Sequence, residues 1–357
     1  MPRSDIDNAA ALLFPSFNNP DVPFKFYMFL QHQTLTCIKT EFFIAILGLF
    51  ITTFHLVVLT RKSVLTSSVI SIMIGIAICD WISIAIVIGV KEVTLNFYRD
   101  ECTPPSSYLT LRILYILLYI RDDVIRCSTW LSVLMALKRL LTLKSTVTGA
   151  SSKTISFGFY AFGICSLLSS VMSTLSYLRT KTVEVGTWIP GDGCDIKPNE
   201  PPYLIYDQHK SGFFDDFWLS IFNFVNGFSF RIFPCILLPT LTVLLVLKIQ
   251  ELRKTTTTLI TAVWKRTEKS TYLVILMSVT FLIANLPSGV FIFLQVIYTD
   301  IGFFGLSAFV DRFCNAISTL NASIHCIICF IMSSDYRSAV KTILRVQPKT
   351  QVSVSKF

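Results

Sequence analysis

A chain of 357 residues with 53% hydrophobic side chains, 15% charged ones and a net charge of +9 departs from water-soluble domains, where about a quarter of the residues are charged. The composition argues against a free-standing soluble enzyme or binding module and points into a bilayer. Met1 to Ala11 carries Asp5 and Asp7 and lacks a basic segment followed by a short apolar core. No cleavable signal is read there, and the first apolar span is expected to direct insertion.

Taken in order, residues 1–40 contain Pro15, Pro20 and Pro23 and read as an exposed extracellular tail. A first span runs from Phe42 to Leu59, apolar apart from His55 and stopped by Arg61 and Lys62. The second, Val69 to Val90, is interrupted only by Asp80. Lys91 to Ser107 is a loop with Cys102, and the third span reaches from Tyr108 to Leu143. Thr154 to Leu178 is a fourth span without a charge, followed by a long polar loop that contains Cys194. Phe217 to Leu247 is the fifth, with Arg231, Pro234 and Pro239; Tyr272 to Tyr298 is the sixth, with Pro287; the seventh covers roughly Phe303 to Met332. Each approaches or exceeds the roughly 20 apolar residues that cross a bilayer. The expected fold is an all-α membrane protein, a bundle of seven transmembrane helices over residues 41–333. Residues 334–357 complete it as a cytosolic amphipathic helix and tail, with Tyr336, Val340, Ile343 and Leu344 on one face and Arg337, Lys341 and Arg345 on another, a pattern suited to lying on the inner leaflet.

Loop charge sets the orientation. The links after the first, third and fifth spans carry Arg61, Lys62, Lys144, Lys153, Arg253, Lys254, Lys265 and Arg266, whereas Arg179 to Asp216 holds seven acids against four bases. Short basic loops stay in the cytosol, so the N-terminus is expected outside and the C-terminus inside.

Charges inside spans are expensive, about 2.5–3.5 kcal/mol each on insertion scales, and mark function. Asp80 is the clearest case and needs a partner, for which Asn321 and His325 are candidates. With Asn285 and Pro287 they form an expected activation core; interhelical glue is the plainer reading of the amides. In the third span Arg121, Asp122, Ile125, Arg126 and Thr129 share one face while Asp123 and Val124 turn away. Asp122 and Arg126 are four apart with the acid first, the favourable order. Arg126 stands about 20 Å outward of Arg139; Arg231 and the neighbours Asp311 and Arg312 reach a similar height in the fifth and seventh spans. Two readings follow: a polar cavity open to the outside in which Arg121, Asp122, Arg126, Arg231 and Asp311 meet a ligand, or a closed ion-pair network, Asp122 with Arg126 and Asp311 with Arg231. The histidines at 32, 55, 209 and 325 are too scattered for a metal cluster. There is no glycine-rich phosphate loop and no nucleophile triad, so no enzyme, cofactor or nucleic-acid partner is expected.

Several stretches resemble a known family. Ile76 to Asp80 (IAICD) is similar to the Leu-Ala-x-x-Asp of the second helix of rhodopsin-like G-protein-coupled receptors. Lys138, Arg139 and Leu140 occupy the place of Asp-Arg-Tyr, and Phe281 with Asn285 and Pro287 the place of the Phe and Cys-Trp-x-Pro of the sixth helix. Asn321 to Cys329 stands where Asn-Ser-x-x-Asn-Pro-x-x-Tyr is usual. Arg126 to Leu137 (RCSTWLSVLMAL) resembles more narrowly the nematode serpentine receptor class W chemoreceptors, relatives of FMRFamide-type peptide receptors. The likeness covers roughly residues 40–345. It implies a plasma-membrane receptor that couples an extracellular neuropeptide or chemosensory compound to a heterotrimeric G protein through Arg139. It also implies a disulfide from the top of the third helix to the second outer loop, a role that Cys102 and Cys194 fit; Cys37 and Cys314 are competing partners. Departures are Thr52 for the usual asparagine of the first helix, Asn285 for a tryptophan, Lys138 for an acid, and His325, Cys326 and Cys329 for the Asn, Pro and Tyr. With Lys138 beside it, Arg139 is not expected to be held by an adjacent carboxylate. A transporter or channel of seven helices is the alternative, and would require a polar stripe through the whole span.

Overall fold

The computed structural model describes residues 3–65, 68–96, 102–148, 156–189, 194, 203–213, 215–255, 261–332 and 334–344. The chain order is α1 (Arg3–Leu13), α2 (Asp21–Leu59), α3 (Ser68–Asn96), α4 (Tyr108–Thr148), α5 (Ser156–Leu178), β1 (Thr180–Trp188), β2 (Tyr203–Lys210), α6 (Asp216–Phe224), a π-helical stretch Val225–Ile232, α7 (Phe233–Thr255), α8 (Thr261–Leu294), α9 (Ile301–Met332) and α10 (Ser334–Leu344). Among the described residues, Asp21–Leu59, Ser68–Val90, Ser156–Leu178, Phe217–Glu251 and Ile301–Ile331 are long and apolar enough to cross a membrane. α8 contributes a shorter apolar stretch, Ser278–Leu294. α4 carries Arg121, Asp122, Asp123 and Arg126 in the middle of its length.

The long helices pack side by side. α2 lies between α3 and α9, α3 also meets α4 and α5, α4 packs on α7, and α8 joins α7, the π-helical stretch and α9. Lipid tails are as apolar as leucine, so close packing and interhelical hydrogen bonds hold such a bundle rather than water exclusion. The helix contacts accordingly use small side chains, Ala45, Ala77, Ala136 and Ala161, beside the fully buried Ile72, Ile84 and Leu131. Phe43, Leu47, Phe50, Leu167 and Leu168 face outward.

The two ends of the bundle differ. At one end β1 and β2 form an antiparallel hairpin with an irregularity between Glu184 and Gly186, so the expectation of an all-α chain is corrected by two strands in the long polar loop. Cys102 is bonded to Cys194 with Cα atoms 5.3 Å apart, while Cys37 and Cys314 are free. At the other end α10 is anchored by Tyr336, Ala339 and Val340, which are buried against Val58, Leu59 and Cys329. The Tyr336 hydroxyl is 2.9 Å from His55 Nδ1 and 3.4 Å from Cys326 Sγ. These are called the hairpin end and the α10 end below.

Residues 1–40, expected as an exposed tail, need a second correction. α1 packs on α2 and α9, with Ala10 and Phe14 fully buried against Phe303, Leu306 and Val310. Phe17 stacks on Tyr298 at 4.6 Å. The Ser16 backbone N–H and hydroxyl both donate to the Asp300 carboxylate, at 3.2 and 2.7 Å. A Cβ on Gly302 would lie 2.5 Å from the Leu13 carbonyl, so glycine permits this close approach. α2 itself begins at Asp21, some twenty residues before the apolar run that marks it in the sequence. Phe24, Leu30, Thr34, Ile38 and Glu41 are its buried face there.

Candidate functional site

The charged face of α4 is built into the bundle near the hairpin end. Arg231 reaches it from the π-helical stretch. Pro234 has no N–H and its ring would crowd the carbonyl four residues back; the preceding turn widens, and Phe233 N–H donates to Phe228 O, five residues back. A widened turn of this kind rotates the side chains that precede it. Close approach of α8 completes the placement, because a Cβ on Gly289 would stand 2.8 Å from Arg231 Cβ.

Arg231 and Asp311 meet at 2.8 Å. Ser288 is shared between them, accepting from Arg231 at 2.6 Å and donating to Asp311 Oδ1, while Asn315 donates to Asp311 Oδ2 at 3.0 Å. Asp122 lies 3.8 Å from both Arg126 and Arg231. Arg126, 2% exposed, donates to Ser173 of α5 at 2.5 Å, and Ser173 in turn donates to the Tyr119 carbonyl at 3.2 Å. Arg121 touches this group only through Asn315, whose carbonyl accepts from it at 3.4 Å. Its guanidinium pairs with Glu41 of α2 and donates to Thr319 of α9 at 3.2 Å; Thr319 donates to the same carboxylate at 2.9 Å. Asp123 turns toward α5 and accepts from Ser170 at 3.0 Å.

The two ion pairs of the closed-network reading, Asp122 with Arg126 and Asp311 with Arg231, are thus both formed. Glu41, Ser173, Ser288, Asn315 and Thr319 complete the network and were not singled out in the sequence. Glu41 directly precedes the first apolar run and reads as its boundary, and the serines and threonine are indistinguishable from the helix's other small polar residues.

Deeper in the bundle Asp80 finds its partner in His325, with Nδ1 2.7 Å from Oδ2, and Ser128 donates to Oδ1 at 3.3 Å. Asn321, the other candidate, accepts instead from Thr280 at 2.8 Å. Asn285 donates to the Phe281 carbonyl of its own helix at 3.1 Å, two residues before Pro287. A cavity of about 50 Å³ adjoins Asp80, Ser83, Ser128, Asn285, Asn321 and His325, ample for a few waters, each of which needs roughly 10–15 Å³. Two further cavities of about 30 Å³ each continue toward the α10 end, both lined by Arg139 and His325. Arg139 forms no ion pair among the described residues. Its neighbour Lys138 turns sideways, its Nζ 4.8 Å from the Phe157 ring centre.

Among the described residues the arrangement has no group of three or more metal-ligating side chains. What it offers is a charged network joining α2, α4, α5, the π-helical stretch, α8 and α9 at one end, an internal polar seam, and at the other an arginine without an ion pair among the described residues. Similarity to known proteins agrees. The chain is 27% identical over 221 residues to the G-protein coupled receptor dmsr-1 of Caenorhabditis elegans, a match covering 59% of this chain and 42% of that protein. The chain therefore spans less than half the length of that relative. Residues 39–347 match the family described as serpentine type 7TM GPCR chemoreceptor Srw. That stretch takes in the charged network, the Asp80 seam and Arg139 together, and the chain belongs to this family of multi-pass plasma-membrane receptors.

Proposed function

We propose that the protein is a receptor of seven membrane-spanning helices that receives an extracellular ligand at the hairpin end and signals to a heterotrimeric G protein at the α10 end. α2, α3, α4, α5, the α6–α7 rod, α8 and α9 are the seven spans. The basic residues Arg61, Lys62, Arg253 and Lys254 against the acidic hairpin loop orient the hairpin end outward. The N-terminal 40 residues then form an extracellular cap, and α10 lies on the cytosolic leaflet.

The observation that carries this reading is that the receptor-family match over residues 39–347 takes in the charged network, the Asp80 seam and Arg139 of one bundle. Arg121, Asp122, Arg126, Arg231 and Asp311 are the proposed ligand contacts. Asp80, Asn285, Pro287, Asn321 and His325 are the proposed activation core, and Arg139 is the proposed G-protein contact. A ligand that repositions Asp122 or Asp311 acts on α4 and α9, the helices that carry Ser128 and His325, both hydrogen-bonded to Asp80. The ligand is a peptide or a small compound.

The test is a second-messenger assay in cells expressing the full chain, screened against peptide and small-metabolite libraries. A response is expected that is lost in Arg139→Ala at normal surface expression and shifted at least tenfold in potency by Arg126→Ala or Asp122→Ala. Ion or solute flux without any second-messenger response overturns the proposal in favour of a transporter.

A further inference from the structure

We propose that the bilayer-facing side of the α4–α5 contact binds one membrane phospholipid, whose phosphodiester is received by Arg112 with Tyr108 and Tyr177. The inference rests on the orientation proposed above only for the leaflet, which is then the outer one. Depth comes first. Lys138 Nζ of α4 stands over the Phe157 ring of α5 at 4.8 Å. Toward the hairpin end Arg112 of α4 donates to the Tyr177 hydroxyl of α5 at 3.2 Å. The stretch of α5 from Phe157 to Tyr177 rises about 30 Å, the thickness of a hydrocarbon core. Two pairs of a cation with an aromatic ring thus mark its two faces, where such side chains gather. Arg112 lies at the level of the lipid headgroups.

The polar cluster there consists of donors. Arg112 is exposed and forms no ion pair among the described residues. Tyr108, four residues earlier on the same helix face, brings its hydroxyl beside the same guanidinium. The Tyr177 ring is held edge-on by Tyr119 with centres 6.0 Å apart. Having accepted from Arg112, the Tyr177 hydroxyl keeps its own proton to donate. One positive charge and two O–H groups therefore converge. The group that complements them at headgroup depth is singly anionic and accepts without donating, as a phosphodiester does.

The apolar surface selects the rest of the ligand. On α4, Ile113, Ile116 and Ile120 follow Arg112 into the bilayer at helical spacing and are 39–50% exposed. On α5, Val171, Leu168 and Leu167 follow Tyr177 inward and are 51–67% exposed. Two apolar tracks thus leave a single anion-receiving cluster, one along each helix. A lipid with one phosphodiester and two acyl chains fits both tracks. Inorganic phosphate uses neither, and a fatty acid carboxylate uses one.

Native mass spectrometry of the full-length protein, delipidated in detergent and titrated with palmitoyl-oleoyl phosphatidylcholine, tests this. The expected result is a first phospholipid retained at a collision energy that strips the others. Palmitoyl-oleoylglycerol, oleate and inorganic phosphate at equal concentration should not displace it. Arg112→Gln is expected to weaken this first binding roughly tenfold and Tyr177→Phe roughly threefold. Lys181→Gln, which removes an exposed cation of β1, should leave it unchanged. Ile116→Asn keeps the cation and should still weaken binding, so the chain track is tested apart from the headgroup. Unfolding midpoints without lipid show that each variant is folded. Equal retention by Arg112→Gln and the unmutated protein overturns the inference, as does displacement by oleate, the diacylglycerol or phosphate as effective as by a second phospholipid. The readout needs no signalling: a second-messenger response without a retained lipid overturns this inference alone, whereas a retained lipid lost in Arg112→Gln supports it even where the receptor reading fails.

Discussion

Arg231 and Asp311 illustrate how single residues decide the hairpin end. Each is a charge in a membrane-spanning helix, tolerable because they meet at 2.8 Å with Ser288 between them. Replacing one partner of a buried ion pair strands the other at about 3–5 kcal/mol, whereas replacing both with apolar groups is often neutral. Arg231→Leu is therefore expected to lower the unfolding midpoint sharply and Arg231→Leu/Asp311→Leu to recover most of the loss. Additive losses in that cycle would show that the pair is not coupled. His325 behaves likewise toward Asp80. His325→Leu removes the partner of a buried carboxylate and should destabilise by about 1–3 kcal/mol, with His325→Asn milder because a donor remains; equal losses by chemical unfolding would refute the pairing. The sequence disclosed Asp80 because a lone carboxylate in an apolar run stands out. It withheld Glu41, which touches the edge of such a run, and it left Asn321 and His325 equal as partners, since choosing between them depends on how α9 is rotated against α3.

Among the elements, α5 and α9 begin and end within about two residues of the apolar runs that announce them, and α3 begins within one residue of its run but continues six beyond it, because hydropathy over twenty residues is the strongest signal a membrane chain carries. The N-terminal forty residues carry no such signal: α1 and the first part of α2 contain Lys25, Gln31, His32, Gln33 and Lys39 and no such run. A helical period was present in Phe24, Leu30, Thr34, Ile38 and Glu41, spaced near multiples of 3.6, and it is this face that is buried. The hairpin is not legible in the sequence because its alternation of apolar and polar residues is short. The cap formed by α1 is expected to fasten the first turns of α9. Phe14→Ala removes a fully buried ring, a change worth about 3–5 kcal/mol in a packed core, and should speed amide exchange over residues 301–308 while leaving α3 and α5 protected. Gly302→Val should do the same by pushing Leu13 away. Unchanged exchange in both variants would mean that the cap carries no load.

For the whole molecule, the Cys102–Cys194 bond closes a loop across 92 residues, spanning α4, α5 and β1. Removing native disulfides typically costs 2–5 kcal/mol, so Cys102→Ser/Cys194→Ser is expected to lower surface expression and the unfolding midpoint together. An unchanged midpoint would assign the bond no part in holding the hairpin. Three contacts act together along α2 and α9. Ser16 with Asp300, Glu41 with Thr319, and His55 with Tyr336 clasp α2 and its flanks to α9 and its flanks at top, middle and bottom. Two rods clasped along their length slide only if all three clasps break at once, so α2 and α9 are expected to stay in register with each other, and a rearrangement at the α10 end is expected in the ends of α4 and α7 there. Spin labels on the lipid-facing Leu47 and Leu320 should keep their separation when ligand and G protein bind, while labels on Leu141 and Leu247 should change theirs. The reverse pattern would put the moving part where the clasps are.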